Sequence, residues 1–257
     1  METRLRSRSR EVVISDSLPF VIIGERINPT GRRALSAEMS EGRMDRVGAD
    51  AIVQAAAGAH MLDVNAGLPA RLLAGIPGID EAALLVITIK AVMEVSDLPI
   101  CIDSANIEAL EAALAVYEGK ALVNSVSAEE ERMERILPLV KKCGAAVVGM
   151  TYDEAGISME PEERLGLARR IIARAADYGI AEEDVVIDPI ALPIAMDPAY
   201  DVALATMRLI RDQIRNNMTC GVSNVSFGLP NRGEVNAEFL ALAQDAGLTC
   251  AIMKVET

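Results

Sequence analysis

Eight short runs of apolar and β-branched residues recur along the chain, and longer amphipathic segments separate them. Continuous apolar runs of this length are typical of strands buried on both faces, as in a parallel sheet. The pattern therefore predicts an α/β fold, with strands at residues 20–28, 61–67, 100–105, 121–126, 145–151, 185–190, 219–226 and 249–254.

Eight strands alternating with helices in 257 residues predict one (β/α)8 TIM barrel, which we assign to residues 20–257. A doubly wound sheet is the alternative, but no GxGxxG motif follows the first run. The chain stops soon after the eighth run, so we expect the closing helix to be absent or truncated.

The first 19 residues are assigned to an N-terminal tail that precedes the barrel. The stretch RLRSRSR is interpreted as a disordered tail or an expression remnant, because no aromatic residues are interleaved with its arginines. The stretch REVVISDSLPF could form a small hairpin across the amino-terminal face of the barrel.

The segment IDEAALLVITIKAVMEV is apolar around nearly its whole circumference. A helix of this kind needs cover on both faces, and the barrel can supply only one. We therefore expect this helix to form the interface of a homodimer.

Composition and charge narrow the class of protein. The net charge is -13, which argues against binding to nucleic acid, and the apolar run at 82–89 is too short to cross a bilayer. The four cysteines include no CxxC pair, and no signal peptide is apparent at the charged amino terminus. These features predict a cytoplasmic protein that binds neither nucleic acid nor membranes.

Polar residues stand at the end of nearly every predicted strand, where TIM barrels carry their active sites. Any one of them alone could be a helix cap or a turn residue. Together they predict a ring of donors and acceptors that a polar ligand would satisfy, since buried polar groups need partners. The ring comprises Glu25, Arg26, Asn28, Asp63, Asn65, Asp103, Ser104, Asn124, Ser125, Thr151, Asp188, Ser223 and Asn224.

Several kinds of chemistry lack the residues they need. His60 is the one histidine and precedes the second strand, so neither a thiolate–imidazole zinc site nor a Ser-His-Asp triad is predicted. Carboxylates could hold Mg²⁺, which stays a minor alternative, and no tightly bound metal is expected. The pocket is expected to act by hydrogen bonding, and a carboxylate–amide set is suited to the 2-amino-4-oxo edge of a pterin.

Six motifs, in order and on successive predicted strands, carry a family resemblance. They are GERINPTG, DVNAG, CIDSA, VNSV, IDPI and GVSNVS. The chain resembles the methyltetrahydrofolate:corrinoid methyltransferases, whose pterin-binding barrel is also the folate module of cobalamin-dependent methionine synthase. The resemblance runs from about residue 20 to the end of the chain.

The resemblance implies the roles of individual residues. Asp103, Asn124 and Asp188 would hold the pterin ring, and Asn224 would reach N5, which carries the methyl group. Asn224 and Asp103 are the predicted catalytic residues. Further folate contacts are assigned to Ser223, Arg232 and Phe227, where Phe227 stands in place of a glutamine of some members; supporting roles are assigned to Glu25, Asn28, Asp63, Asn65 and Ser125.

The resemblance also implies the second substrate, a cobalt(I) corrinoid. The chain has no DxHxxG cobalamin motif, so the corrinoid is expected on a separate protein that docks over the barrel mouth. Two alternatives stay open. One is a dihydropteroate synthase-like pterin enzyme, although the Ser-Arg-Lys type of motif of that family is replaced here by GVSNVS. The other is a non-catalytic folate-binding barrel.

Overall fold

The structure is a computed structural model that describes residues 1–68, 80–196 and 199–255. In this part of the chain, seven parallel strands form one curved sheet in the order β8-β7-β6-β5-β4-β3-β9. The strands are β3 (Val21–Ile27), β4 (Met61–Asn65), β5 (Ile100–Asp103), β6 (Leu122–Ser127), β7 (Ala146–Met150), β8 (Val185–Asp188) and β9 (Cys250–Met253). The predicted α/β barrel is confirmed, and these strands fall within one or two residues of most predicted positions.

The eighth position of the barrel is filled by an irregular segment between β8 and β9. Met218 forms a parallel bridge with Ile187 of β8, and Gly221 forms one with Ile252 of β9. The expected strand at 219–226 is wrong beyond Gly221, because Val222–Asn224 turns into a 3-10 helix. The backbone N–H of Asn224 donates to the Gly221 carbonyl at 3.1 Å, so the backbone forms a turn there instead of pairing as a strand.

Helices surround the sheet and connect its strands. In the described residues they are α1 (Arg33–Met39), α2 (Asp45–Ala56), α3 (Glu81–Val95), α4 (Ile107–Val116), α5 (Glu130–Cys143), α6 (Pro161–Asp177), α7 (Ala199–Gln213) and α8 (Arg232–Ala246). Their starts and stops follow ordinary chemistry: α6 begins at a proline, and α5 is followed by Gly144, which has a φ of 61°.

The arginine-rich amino terminus is ordered, which corrects the prediction of a disordered tail. Strands β1 (Thr3–Arg6) and β2 (Glu11–Ile14) form an antiparallel hairpin. Leu5 and Ile14 are fully buried and pack against residues of the barrel interior, whereas Arg4 and Arg6 are exposed. Alternation of period two thus buries one face of the hairpin as a plug in the amino-terminal end of the barrel.

The inner face of the barrel changes from apolar to polar along five of its seven strands. Side chains at every second position point inward, and the lower inward positions pack into one apolar cluster with the hairpin. On these five strands the next inward position is polar, whereas the inward residues of β7 and β9 stay apolar to the end of the strand. The successive inward pairs are Ile23 and Glu25, Met61 and Asp63, Cys101 and Asp103, Leu122 and Asn124, and Val186 and Asp188.

Helix α3 is covered by its neighbours more fully than its sequence indicated. Leu84, Leu85, Ile89 and Val92 are buried, and the helix packs against both α2 and α4 as well as β4. Val95 at its end is 43% exposed. Among the described residues, no helix combines the length and the apolar character required to cross a bilayer.

Candidate active site at the carboxyl ends of the strands

Four of the predicted ring residues meet on three adjacent strands. Asn65 and Asp103 are register partners on β4 and β5, and the Asn65 amide donates to Asp103 Oδ2 at 2.9 Å. Asp103 is in turn the register partner of Asn124 on β6, whose amide lies 3.5 Å from Asp63 Oδ1. The structure therefore brings two carboxylates and two amides together as two neighbouring hydrogen-bonded pairs.

Burial raises the pKa values of both carboxyl groups, which makes them weaker acids than usual. Desolvation, followed by the charge of Asp103, raises the pKa of Asp63 well above its ordinary value. The pKa of Asp103 is raised to about 6, chiefly by burial, with the Asn65 hydrogen bond opposing the rise. At neutral pH, Asp103 is the better placed of the two to carry a negative charge into the mouth.

Asp188 ends β8 on the same inward face, two strands beyond Asn124. Its Oδ1 accepts from the backbone amide of Ile190 at 2.7 Å, which is the local turn contact that Asp side chains commonly make. Burial raises the pKa of Asp188 to about 7, although the Ile190 hydrogen bond and the charge of Arg164 both lower it. Among the described residues, its second oxygen takes no hydrogen bond and is left for a ligand.

A second group ties the 3-10 turn to the end of β3. Ser223 donates to Glu25 Oε1 at 2.7 Å, joining the turn to β3. Arg232 donates to the Ser223 carbonyl at 2.8 Å and to Ser226 Oγ at 3.0 Å. The segment that carries Asn224 is thus held from both sides. Burial raises the pKa of Glu25, while the Ser223 hydrogen bond lowers it.

Asn224 and Phe227 lie at the rim of the barrel mouth. Asn224 is exposed, and its side chain folds over Gly221, where an added Cβ would come within 2.9 Å of Asn224 Nδ2. Phe227 is 71% exposed, on the stretch that follows the turn. Both side chains are therefore open to a molecule that covers the mouth.

Two of the proposed supporting residues are engaged by their own loops. Asn28 Oδ1 accepts from the Thr30 amide at 2.9 Å, which is a local turn. Ser125 follows a cis peptide bond, and its carbonyl accepts from Arg132 at 3.2 Å. The side chains of both residues are partly exposed at the carboxyl end of the barrel.

Sequence reasoning missed a cleft of about 750 Å³ beside the ring. The β3–α1 loop and the start of α1 form one side of it, and Asn65 belongs both to the cleft and to one of the hydrogen-bonded pairs. The polar stretch NPTGRR was the available signal, since its residues line much of the cleft. Sequence reasoning also missed the buried Arg164, because the helical pattern does not distinguish a buried arginine from one at the surface.

His60 lies away from this mouth, at the start of β4. Its Nδ1 accepts from the Ile22 amide at 3.0 Å, and its amide donates to the Ile22 carbonyl. Burial, followed by the charge of Arg10, lowers its pKa. Within the described residues, no three His, Cys, Asp or Glu side chains are grouped so that they could hold a metal ion.

Comparison with known proteins identifies the class. The family model described as "Pterin binding enzyme" matches residues 24–254, and the chain belongs to this family. The carboxylates and amides around the mouth therefore belong to the barrel of a pterin-binding enzyme.

Named relatives narrow the class further. The chain is 31% identical over 243 residues to a methylcorrinoid:tetrahydrofolate methyltransferase of Eubacterium limosum, covering 91% of this chain and 84% of that protein. It is 32% identical to methionine synthase of Mycobacterium tuberculosis, covering 98% of this chain and 22% of the much longer relative. The predicted family resemblance and the predicted methyltransferase class are confirmed.

Solved structures with the same fold include dihydropteroate synthases. The enzyme of Thermus thermophilus has a TM-score of 0.67 and 20% identity, covering 98% of this chain and 93% of that chain. The enzyme of Xanthomonas albilineans has a TM-score of 0.71 and 19% identity over the same shares of the two chains. At this identity the likeness concerns the fold alone.

Proposed function

We propose that the protein transfers a methyl group between N5 of tetrahydrofolate and the cobalt of a corrinoid carried by a separate protein. The observation that carries the proposal is the group formed by Asp63, Asn65, Asp103 and Asn124 in a member of the pterin-binding family. The name of the Eubacterium limosum relative, which pairs a methylcorrinoid with tetrahydrofolate, supports the two substrates.

The pterin ring would be held by hydrogen bonds to carboxylates. Asp103 and Asp188 both have raised pKa values, about 6 and about 7, because their charged forms lack sufficient partners in the free protein. The amino group and ring N–H of a pterin would supply such partners, and Asn124 offers a donor and an acceptor to the adjacent positions. Binding would then favour the ionised carboxylates.

Asn224 would act on the nitrogen that exchanges the methyl group. A tertiary amine is a poor leaving group until its nitrogen is protonated or hydrogen-bonded as charge changes. An amide at the rim can donate to that nitrogen and stabilise the transition state without a strong acid. The contacts of Ser223 with Glu25 and Arg232 support this role, because they fix the turn on which Asn224 stands.

The corrinoid protein would dock over the mouth, where Asn224 and Phe227 are exposed. The proposal includes a cytoplasmic location and a homodimer, for which the exposed end of α3 at Val95 is the candidate surface. Asp103 would contribute to proton movement near N5 through water. Arg232 would lie near the folate, at the foot of the turn that it holds.

The proposal is tested by mixing the protein anaerobically with methyltetrahydrofolate and reduced cobalamin. Conversion of the cobalt(I) spectrum to that of methylcobalamin is expected, and the Asn224→Ala variant should slow it. Binding of methyltetrahydrofolate without transfer to free or protein-bound corrinoid would favour a non-catalytic barrel. Formation of dihydropteroate from a pterin pyrophosphate and p-aminobenzoate would overturn the proposal in favour of a synthase.

A further inference from the structure

Arg164 is a fully buried arginine on α6 whose guanidinium reaches the loop that follows β8. One of its terminal nitrogens donates to the Pro189 carbonyl at 2.7 Å and to the Ile190 carbonyl at 2.9 Å. Its Nε donates to the Ser158 carbonyl at 2.7 Å. One side chain thus joins the start of its own helix to the two residues directly after Asp188.

The backbone held by Arg164 is strained. Ile190 has a φ of 61°, in the left-handed region that β-branched residues avoid, so surrounding contacts must stabilise it. The same residue donates its amide to Asp188 Oδ1 at 2.7 Å. The turn that Arg164 holds therefore engages one oxygen of Asp188, and no described residue donates a hydrogen bond to the other oxygen.

The charge of Arg164 also bears on Asp188. The hydrogen bonds of Arg164 to oxygen all go to neutral carbonyls, and a buried cation is stabilised by a nearby anion. Asp188 is that anion, and the attraction favours its ionised form. The other titratable groups close to Asp188 are the thiols of Cys220 and Cys250, whose pKa values burial raises, so they stay neutral at pH 7.

We propose that Arg164 is a positioning residue for the pterin-binding carboxylate. It fixes the turn at Pro189 and Ile190 so that Asp188 presents a free oxygen to the pterin, and its charge favours the ionised form of that carboxylate. The inference rests on the proposed function for the identity of the ligand, and on the structure alone for the link between Arg164 and Asp188.

The test uses two substitutions of Arg164 and one control on the same helix. Arg164→Met removes the charge and the donors, whereas Arg164→Lys keeps the charge but cannot reach three carbonyls. Arg169→Met is the control, because Arg169 is exposed and donates to Gln213 at 2.6 Å, away from the mouth. Affinity for methyltetrahydrofolate is measured by calorimetry between about pH 5.5 and about pH 8.5.

For Arg164→Met, the dissociation constant at pH 7 should rise by about tenfold or more, as expected on loss of charge-assisted hydrogen bonds. The midpoint of its pH dependence should move to higher pH, because Asp188 ionises less readily without the cation. Arg164→Lys should keep a midpoint near that of the wild type with weakened affinity. Arg169→Met should match the wild type throughout.

A readout without ligand keeps the inference separate from the proposed function. The carboxyl carbon of Asp188, assigned by its absence from the Asp188→Asn spectrum, is titrated by ¹³C NMR in the wild type and in both Arg164 variants. A higher pKa of Asp188 in Arg164→Met supports the inference whether or not methyltetrahydrofolate binds. A failure of the wild type to bind methyltetrahydrofolate would overturn the proposed function and not this inference.

An unchanged titration of Asp188 in a folded Arg164→Met protein would overturn the inference. If that variant does not fold, Arg164→Lys decides by affinity: binding equal to that of the wild type would overturn the positioning role. In the Asp188→Asn background, Arg164→Lys should cause no further loss of affinity, since its effect acts through Asp188. If Arg164→Lys lowers the affinity as much in the Asp188→Asn background as in the wild type, the positioning role is contradicted.

Discussion

Replacing Asp188 by asparagine removes a charge from the mouth while keeping the shape and the acceptor that the turn requires. In the wild type, Asp188 Oδ1 accepts from the Ile190 amide at 2.7 Å, and an asparagine oxygen can accept the same bond. The variant therefore isolates the free energy of holding a carboxylate at this position.

The sign follows from the pKa of Asp188, which burial raises from 3.8 to about 7. Between these two values the folded protein binds more protons at this site than the unfolded chain does. The contribution of Asp188 to stability is therefore greatest at low pH, falls as the pH rises from about 4 to about 7, and is constant above that. An asparagine does not titrate and avoids this loss.

The magnitude follows from the same difference of about three pH units. Each unit corresponds to about 1.4 kcal/mol, so the cost at pH 8 has an upper bound of about 4 kcal/mol, and more than half of it develops between pH 5 and pH 8. Solvent screening reduces this value, because Asp188 is only partly shielded. We expect the free energy of unfolding of Asp188→Asn, relative to that of the wild type, to increase by about 1–2 kcal/mol from pH 5 to pH 8.

The assay is urea unfolding of both proteins at pH 5 and at pH 8, with methyltetrahydrofolate binding measured in parallel. The more stable variant should bind folate more weakly, since it lacks the carboxylate that would face the pterin. Asp177→Asn, at an exposed position on α6, is the control and should change stability little at either pH. An identical stability difference at pH 5 and pH 8 for Asp188→Asn would refute the reasoning.

Three further substitutions test the turn and the hairpin. Asn224→Ala should lower the single-turnover rate of methyl transfer by about 10²–10³ while changing folate affinity much less, and equal losses would contradict its role in the transition state. Gly221→Ala would place a Cβ within 2.9 Å of Asn224 Nδ2 and displace that side chain. Its transfer rate should fall with little change in the urea midpoint; an unaffected rate would show that the position of Asn224 does not matter. Leu5→Ala removes a fully buried side chain at the base of the barrel and should cost about 2–5 kcal/mol in urea unfolding. A cost near zero would mean that the hairpin is not docked.

Much of the ring could be predicted because polar residues follow the apolar runs at the ends of the predicted strands. Leu122 and Asn124 show this on β6, where the first packs in the interior cluster and the second enters the mouth. Register between parallel strands then places Asn65, Asp103 and Asn124 side by side. Alternation along a strand is a property of the local sequence, so the residues that reach the mouth could be predicted, whereas the register that makes them neighbours is set by pairing between strands.

The segment at 219–226 was harder to predict, because its first residues and its last residues obey different constraints. Met218 and Gly221 bridge to β8 and β9, whereas Ser223 bonds to Glu25, a residue far away along the chain. Serine and asparagine can satisfy the backbone in either a strand or a turn. Contacts with Glu25 and Arg232 stabilise the turn, and no local pattern contains them.

The sequence by itself determined the order of strands and helices, the boundary between apolar and polar inward positions, and the motifs that mark a pterin-binding enzyme. Only the tertiary structure decided that the arginine-rich terminus plugs the barrel, that Arg164 binds the loop after Asp188, and that the end of the seventh predicted strand becomes a turn. The physical reason is the range of the interactions. Periodicity and caps act over a few residues, whereas desolvation, ion pairing and plug packing depend on which distant segments share the same space.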